Sequence, residues 1–130
     1  MKSTVFLFGE AEKGEFGIPF PCRSLSHLLE AAGNPPEESL GIRYAIQALL
    51  YDRNLIFCRV KEEGFSSKDY IKGCKLIKKG PLSPHLQAIF LPGVGDQGII
   101  EAALDVCSLY RSLLVLTERD LYDYLTLKAN

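Results

Sequence analysis

No C-x-x-C pair occurs among the four cysteines, Cys22, Cys58, Cys74 and Cys107, and neither His27 nor His85 lies near the last three. That spacing argues against a structural zinc site and leaves buried thiols as the plain expectation. No metal and no cofactor are called for. Long apolar runs are missing as well. None approaches the roughly 18 residues of a membrane span, and the leading run Met1–Phe8 is too short for a signal peptide. A cytoplasmic protein without a membrane partner is therefore expected. Charge of one sign is also missing: 15 Lys and Arg stand against 16 Asp and Glu, a net charge of −1. That balance argues against a nucleic-acid partner. Neither the G-x-S-x-G of serine hydrolases nor the Cys-x5-Arg of phosphatases is present. Internal repeats, low-complexity tracts and linkers are absent too. What remains is a chain that is 47% hydrophobic and 24% charged. It has enough apolar content to build one core, so residues 1–130 are read as a single domain.

Strand and helix patterns alternate along it. Residues 4–9 read as a strand, followed by a Gly/Pro-rich loop to Pro21. Ser24 caps a helix over about 25–32, with Gly33 as its stop. Asn34-Pro-Pro-Glu37 reads as the start of a second helix over about 35–51. That helix is apolar around most of its circumference, which points to deep burial or to a homodimer contact. A strand over 54–61, a helix from Ser66 or Ser67 to about Lys79, a strand over 86–91, a helix over 97–110 and a strand over 112–116 follow. Thr117 opens a last helix to about Leu127. Alternating strands and helices predict an α/β fold: a three-layer sandwich around a four-stranded parallel sheet, with strand order 2-1-3-4. In such sheets the ligand crevice lies beyond the strand carboxyl ends where the winding reverses, here between the first and third strands. Both glycine-containing loops follow those two strands.

The second of these loops is Gly93-Val-Gly-Asp-Gln-Gly98, which fits G-x-G-x-x-G. It follows a strand, opens a helix and sits in a βαβ unit. Glycine lacks Cβ, so backbone N–H groups can approach a phosphate, and the following helix N-terminus favours negative charge. Glu118 stands 20 residues after Gly98, where an acidic group would meet ribose hydroxyls. The plain alternative is a tight turn that needs glycine for backbone reasons alone.

The stretch Leu91-Pro-Gly-Val-Gly-Asp-Gln-Gly-Ile-Ile-Glu-Ala-Ala-Leu104 resembles the glycine loop and Glu-bearing helix of nucleoside 2-deoxyribosyltransferases. It is also similar to the Pro-Gly-Gly-x-Gly-Thr-x-x-Glu loop of cytokinin-type phosphoribohydrolases. The resemblance covers residues 86–118. It implies a Rossmann-like sheet, a nucleotide or sugar-phosphate ligand, and cleavage or transfer of an N-glycosidic bond. By it, Glu101 is the catalytic carboxylate, and Asp96 and Gly98 contact ribose or phosphate.

Glu10, Glu12 and Glu15 lie in the first loop. Glu10, nearest the strand end, is the second candidate for a catalytic carboxylate. Gly93, Gly95, Asp96, Gly98 and Glu118 are the candidate binding residues. Cys22-Arg23 could present a reactive thiol at a helix start, with packing as the plainer role. Lys68, Lys72, Lys75 and Lys79 recur at helical spacing and read as a solvated face. The functional expectation is a nucleotide- or nucleoside-phosphate-binding protein. Its rival is a non-catalytic interaction or regulatory module of the same fold that acts as a homodimer.

Overall fold

The computed structural model describes residues 3–34, 36–80 and 85–126. Strand β1 (Thr4–Gly9) runs through the centre of the sheet, and every one of its residues is buried. A strand covered on both faces needs a continuous apolar run, and Thr4-Val-Phe-Leu-Phe supplies one. Its side chains alternate between the faces. β3 (Asn54–Arg59) pairs with it in parallel on one side and β4 (Leu86–Phe90) on the other, and β5 (Leu113–Val115) pairs in parallel with β4. These are the four strands expected from the sequence, in the expected relative order, with the first and third as neighbours.

A fifth strand was not expected. β2 (Pro19–Cys22) lies within the segment read as a loop and pairs antiparallel with β3, so the sheet is mixed, in order β2-β3-β1-β4-β5. Pro19 and Pro21 disfavour a strand in any local reading; pairing with β3 overrides that. Cys22 accordingly ends a strand and is buried, rather than standing at a helix start.

Among the described residues five helices cover the two faces. α1 (Leu25–Ala32), α2 (Gly41–Leu50) and α5 (Glu118–Thr126) share a core with Val5, Leu7, Leu55, Phe57, Ala88 and Phe90. α3 (Ser67–Lys79) and α4 (Gln97–Tyr110) cover Phe6, Phe8, Ile56, Cys58 and Ile89 on the other face. Gly73 lets α3 close on the sheet: a Cβ there would stand 2.8 Å from Cys58 Sγ and 2.8 Å from Phe8. All four cysteines are buried and free. Among the described residues no helix is long and apolar enough to cross a membrane.

The second helix differs from its sequence reading. It begins at Gly41, not near Asn34, and residues 36–40 form a turn with Glu38 in the left-handed region at φ 68°. Pro35, expected at the first helical position, and Leu127, expected at the end of the last helix, lie outside the described residues. Most of the apolar character of α2 is spent inside the chain: Ile42, Ala45 and Ala48 are fully buried and Leu49 packs partly against the same core, while Leu50 at the helix end is exposed.

Candidate functional site

The carboxyl ends of β1, β4 and β5 meet at one edge of the sheet, and the loops that follow them carry most of the candidate residues. The start of α2 crosses the end of β1 at a glycine pair. A Cβ on Gly9 would stand 2.5 Å from Gly41 Cα, so only hydrogen fits on either side. This contact brings the amino end of α2 to the carboxyl end of β1. Leu40, at the cap position, makes no side-chain cap bond.

Glu63 supplies the missing cap from the loop after β3. Its carboxylate accepts from Leu40 N–H at 2.9 Å, Gly41 N–H at 3.1 Å and Glu10 N–H at 2.9 Å. The Glu63 N–H in turn donates to the Glu10 carboxylate at 3.0 Å. Next to it, Gly64 sits at φ 89° with its Cα against the Gly93 carbonyl, and its N–H donates to the Tyr70 hydroxyl at 2.8 Å. The loop after β3 therefore crosses the end of β1, touching the first loop through Glu63 and the glycine loop through Gly64. β1 and β4 are neighbours as expected, but the loop after β3 lies across the end of β1, and the chain's own carboxylate occupies the anion-binding helix start there.

The glycine loop after β4 is open. Among the described residues, no atom lies within 4 Å of where a Cβ would stand on Gly93 or Gly95, and both are exposed. Gly93 needs to be glycine at φ 77°; Gly95 has no such constraint. Asp96 caps α4, its carboxylate accepting from Ile99 N–H at 2.9 Å. Gly98 is exposed in the first turn, 3.1 Å from Asp96 Oδ1 at its would-be Cβ.

Glu118 opens α5 rather than ending a strand. Its segment follows β5, and Leu91 N–H donates to Val115 O at 3.0 Å, which holds the two strand ends side by side. Tyr44, on α2, donates its hydroxyl proton to the Glu118 carboxylate at 2.8 Å, and its ring packs on Phe90 at 4.9 Å between centroids. Burial, together with the hydrogen bond and charge of Glu118 and the charge of Glu63, pushes the Tyr44 hydroxyl up to about 12. Burial likewise raises Tyr70. Both phenols are neutral donors or acceptors at physiological pH.

Glu101 is exposed on the second turn of α4, where Gln97 Nε2 donates to it at 3.3 Å. It is thus on the same helix as the glycine loop but apart from the Glu10–Glu63 pair, which the structure does bring together. Glu63, Tyr44 and Tyr70 escaped the sequence reading. Ser39 is buried, and its hydroxyl has no hydrogen-bond partner among the described residues. Among those residues no group of His, Cys, Asp or Glu side chains is arranged to hold a metal ion.

No protein-family model, no curated protein and no solved structure matches this chain.

Proposed function

We propose that this protein binds a nucleoside-class ligand at the carboxyl ends of β4 and β5, with the glycine loop against the ligand and Glu118 on its sugar hydroxyls. One observation carries this reading: Gly93 and Gly95 leave open space at their missing Cβ positions, at the strand edge shared with Glu118. An ionised carboxylate is an acceptor only, and a vicinal diol offers it two donors. Tyr44 holds Glu118 from beneath.

The arrangement favours the sugar over the phosphate end of such a ligand. The α2 start is filled by Glu63, and Asp96 takes a first-turn N–H of α4. A phosphate would have to displace one of these carboxylates and would meet the charge of the others.

Binding without turnover is the form best supported. The Glu10 carboxylate is engaged by Glu63 N–H, and Asp96 is spent on its cap. Cleavage of an N-glycosidic bond, the chemistry implied by the resemblance, falls to Glu101; base release from nucleosides, lost in Glu101→Gln, tests it.

The binding reading is tested by thermal shift against nucleosides, nucleotides and sugar phosphates. A ligand at 100 times its Kd stabilises the native state by about 2.7 kcal/mol. Nucleosides should raise the melting temperature more than their phosphates, Gly95→Val should abolish the shift while the fold persists, and Glu118→Gln should weaken ribosides more than deoxyribosides. A flat response to all three classes rejects the reading.

A further inference from the structure

The outward faces of α3 and α4 carry opposite charge and lie side by side. α3 holds five lysines and one aspartate; α4 holds Glu101 and Asp105 and no cation. On α3 the buried residues are Tyr70, Gly73, Cys74 and Ile77, so the helical period turns Lys68, Lys72, Lys75 and Lys79 away from the sheet, the stem of Lys72 resting beside Gly17. Together with half-buried Ile71 and Leu76 they surround a shallow recess of about 430 Å³. Among the described residues none of these four ammonium groups has a hydrogen-bond or ion-pair partner. On α4 the buried residues are Ile99, Ala103, Val106 and Cys107. The opposite face presents Glu101, Asp105 and two large apolar side chains, Leu104 at 46% and Leu109 at 57% exposure.

We propose that a second copy of this chain occupies this surface, pairing face to face about a two-fold axis parallel to α3 and α4 so that α3 of each copy lies on α4 of the other. The two helices follow parallel strands and cover the same face, so they run in one direction. Rotation about that axis keeps the direction of the second pair. Each basic helix then meets an acidic one running parallel to it, and the contact is made twice, as an isologous interface requires. Leu104 enters the recess between Ile71 and Leu76, and the lysines around its rim face Glu101 and Asp105 of the other copy. The complement to the basic stripe is thus on the chain itself. Nucleic acid fits less well, because the aromatic residue of α3, Tyr70, is buried and the helix offers no exposed ring along the lysine stripe for stacking. This pairing is independent of the ligand reading above.

Sedimentation velocity over a concentration series tests it. The wild-type chain should dimerise at about 0.1 M salt and shift toward monomer at about 1 M, as the screening length falls from about 10 Å to about 3 Å. The double variant Lys72→Glu/Lys75→Glu and the variant Asp105→Lys should each be monomeric, with the circular-dichroism spectrum of the wild type. Mixed in equal amounts, the two should form a heterodimer, since one contact is then native and the other has its charges exchanged. A wild-type chain that stays monomeric at every concentration overturns the proposal. So does a dimer indifferent to salt and to both variants. Tight binding of single-stranded RNA or of anionic vesicles by a monomeric wild-type chain, lost in the lysine variant, would assign the stripe to those partners instead.

Discussion

Two helices, α2 and α4, start at the same edge of the sheet, and each has its first N–H groups closed by a carboxylate. For α4 the carboxylate is Asp96, the residue next to the helix, bonded to Ile99 N–H three positions on. For α2 it is Glu63, which reaches Gly41 from 22 residues away in sequence and binds Leu40 N–H and Glu10 N–H as well. The local cap holds one helix. The remote cap ties together the ends of three elements, so its loss frees the first loop, the α2 start and the loop after β3 at once. The same chemical group therefore has a different structural reach depending on where the chain supplies it.

The glycine contact beneath the remote cap should give the largest effect. Gly41→Val places a branched side chain into the Gly9 backbone, which cannot yield as a flexible side chain could. The variant should lose about 3 kcal/mol of stability, near the upper end of overpacking costs, or fail to fold. Chemical denaturation measures it. Wild-type stability would show that the α2 start is not fixed by this contact.

Glu63→Ala comes next. It removes the acceptor of three backbone N–H groups, and hydrogen bonds to a charged group contribute roughly 1.5–3 kcal/mol. A loss of about 2–3 kcal/mol is expected, with faster amide exchange at Glu10, Leu40 and Gly41 and little change in α4. Uniform exchange across the chain would erase the distinction between the caps.

Alkaline pH probes the α2 side through Tyr44. Its folded value of about 12 exceeds the ordinary value of 10. Stability contributed by the neutral phenol is thus complete below about pH 10 and is lost as pH rises toward 12. The buried thiols Cys22 and Cys74, raised to about 12, and Cys107, raised to about 11, add losses of the same sign beginning near pH 9. Urea midpoints should fall from pH 9 upward, and less steeply above pH 10 in Tyr44→Phe. A flat profile would place the hydroxyl in water.

The local cap should give the smallest effect. Asp96→Ala should cost about 1 kcal/mol, as for other N-cap truncations, with exchange increased only in the first turn of α4. A loss matching that of Glu63→Ala would mean that Asp96, too, holds more than its own helix.

The same contrast explains what the sequence reveals. The start of α4 was legible because the glycine loop leads directly into it, although Asp96, its cap, was read as a ribose or phosphate contact, and the four parallel strands were legible because burial on both faces demands continuous apolar runs. The start of α2 was misread because Asn34-Pro-Pro-Glu37 carries every local sign of a helix, whereas the real start is fixed by Gly9 and Glu63, both distant in sequence. β2 was missed for a related reason: its prolines oppose a strand, and the pairing that makes one is long-range. Gly93, Gly95 and Glu118 were chosen by spacing, and the strands they follow end side by side. Tyr44 could not be chosen so, because nothing in an apolar helix marks which side chain will reach a carboxylate 74 residues on.

Those prolines have a further consequence. Pro19 and Pro21 are two residues apart, so their nitrogens point to the same side of β2, and a ladder to β3 that holds through both puts that side outward. The outer rim of the sheet there lacks donors at both positions. An extended strand from another molecule finds no complete hydrogen-bonding template on this flank, so the exposed end of a mostly parallel sheet is closed to open-ended growth by residues that hindered its recognition as a strand.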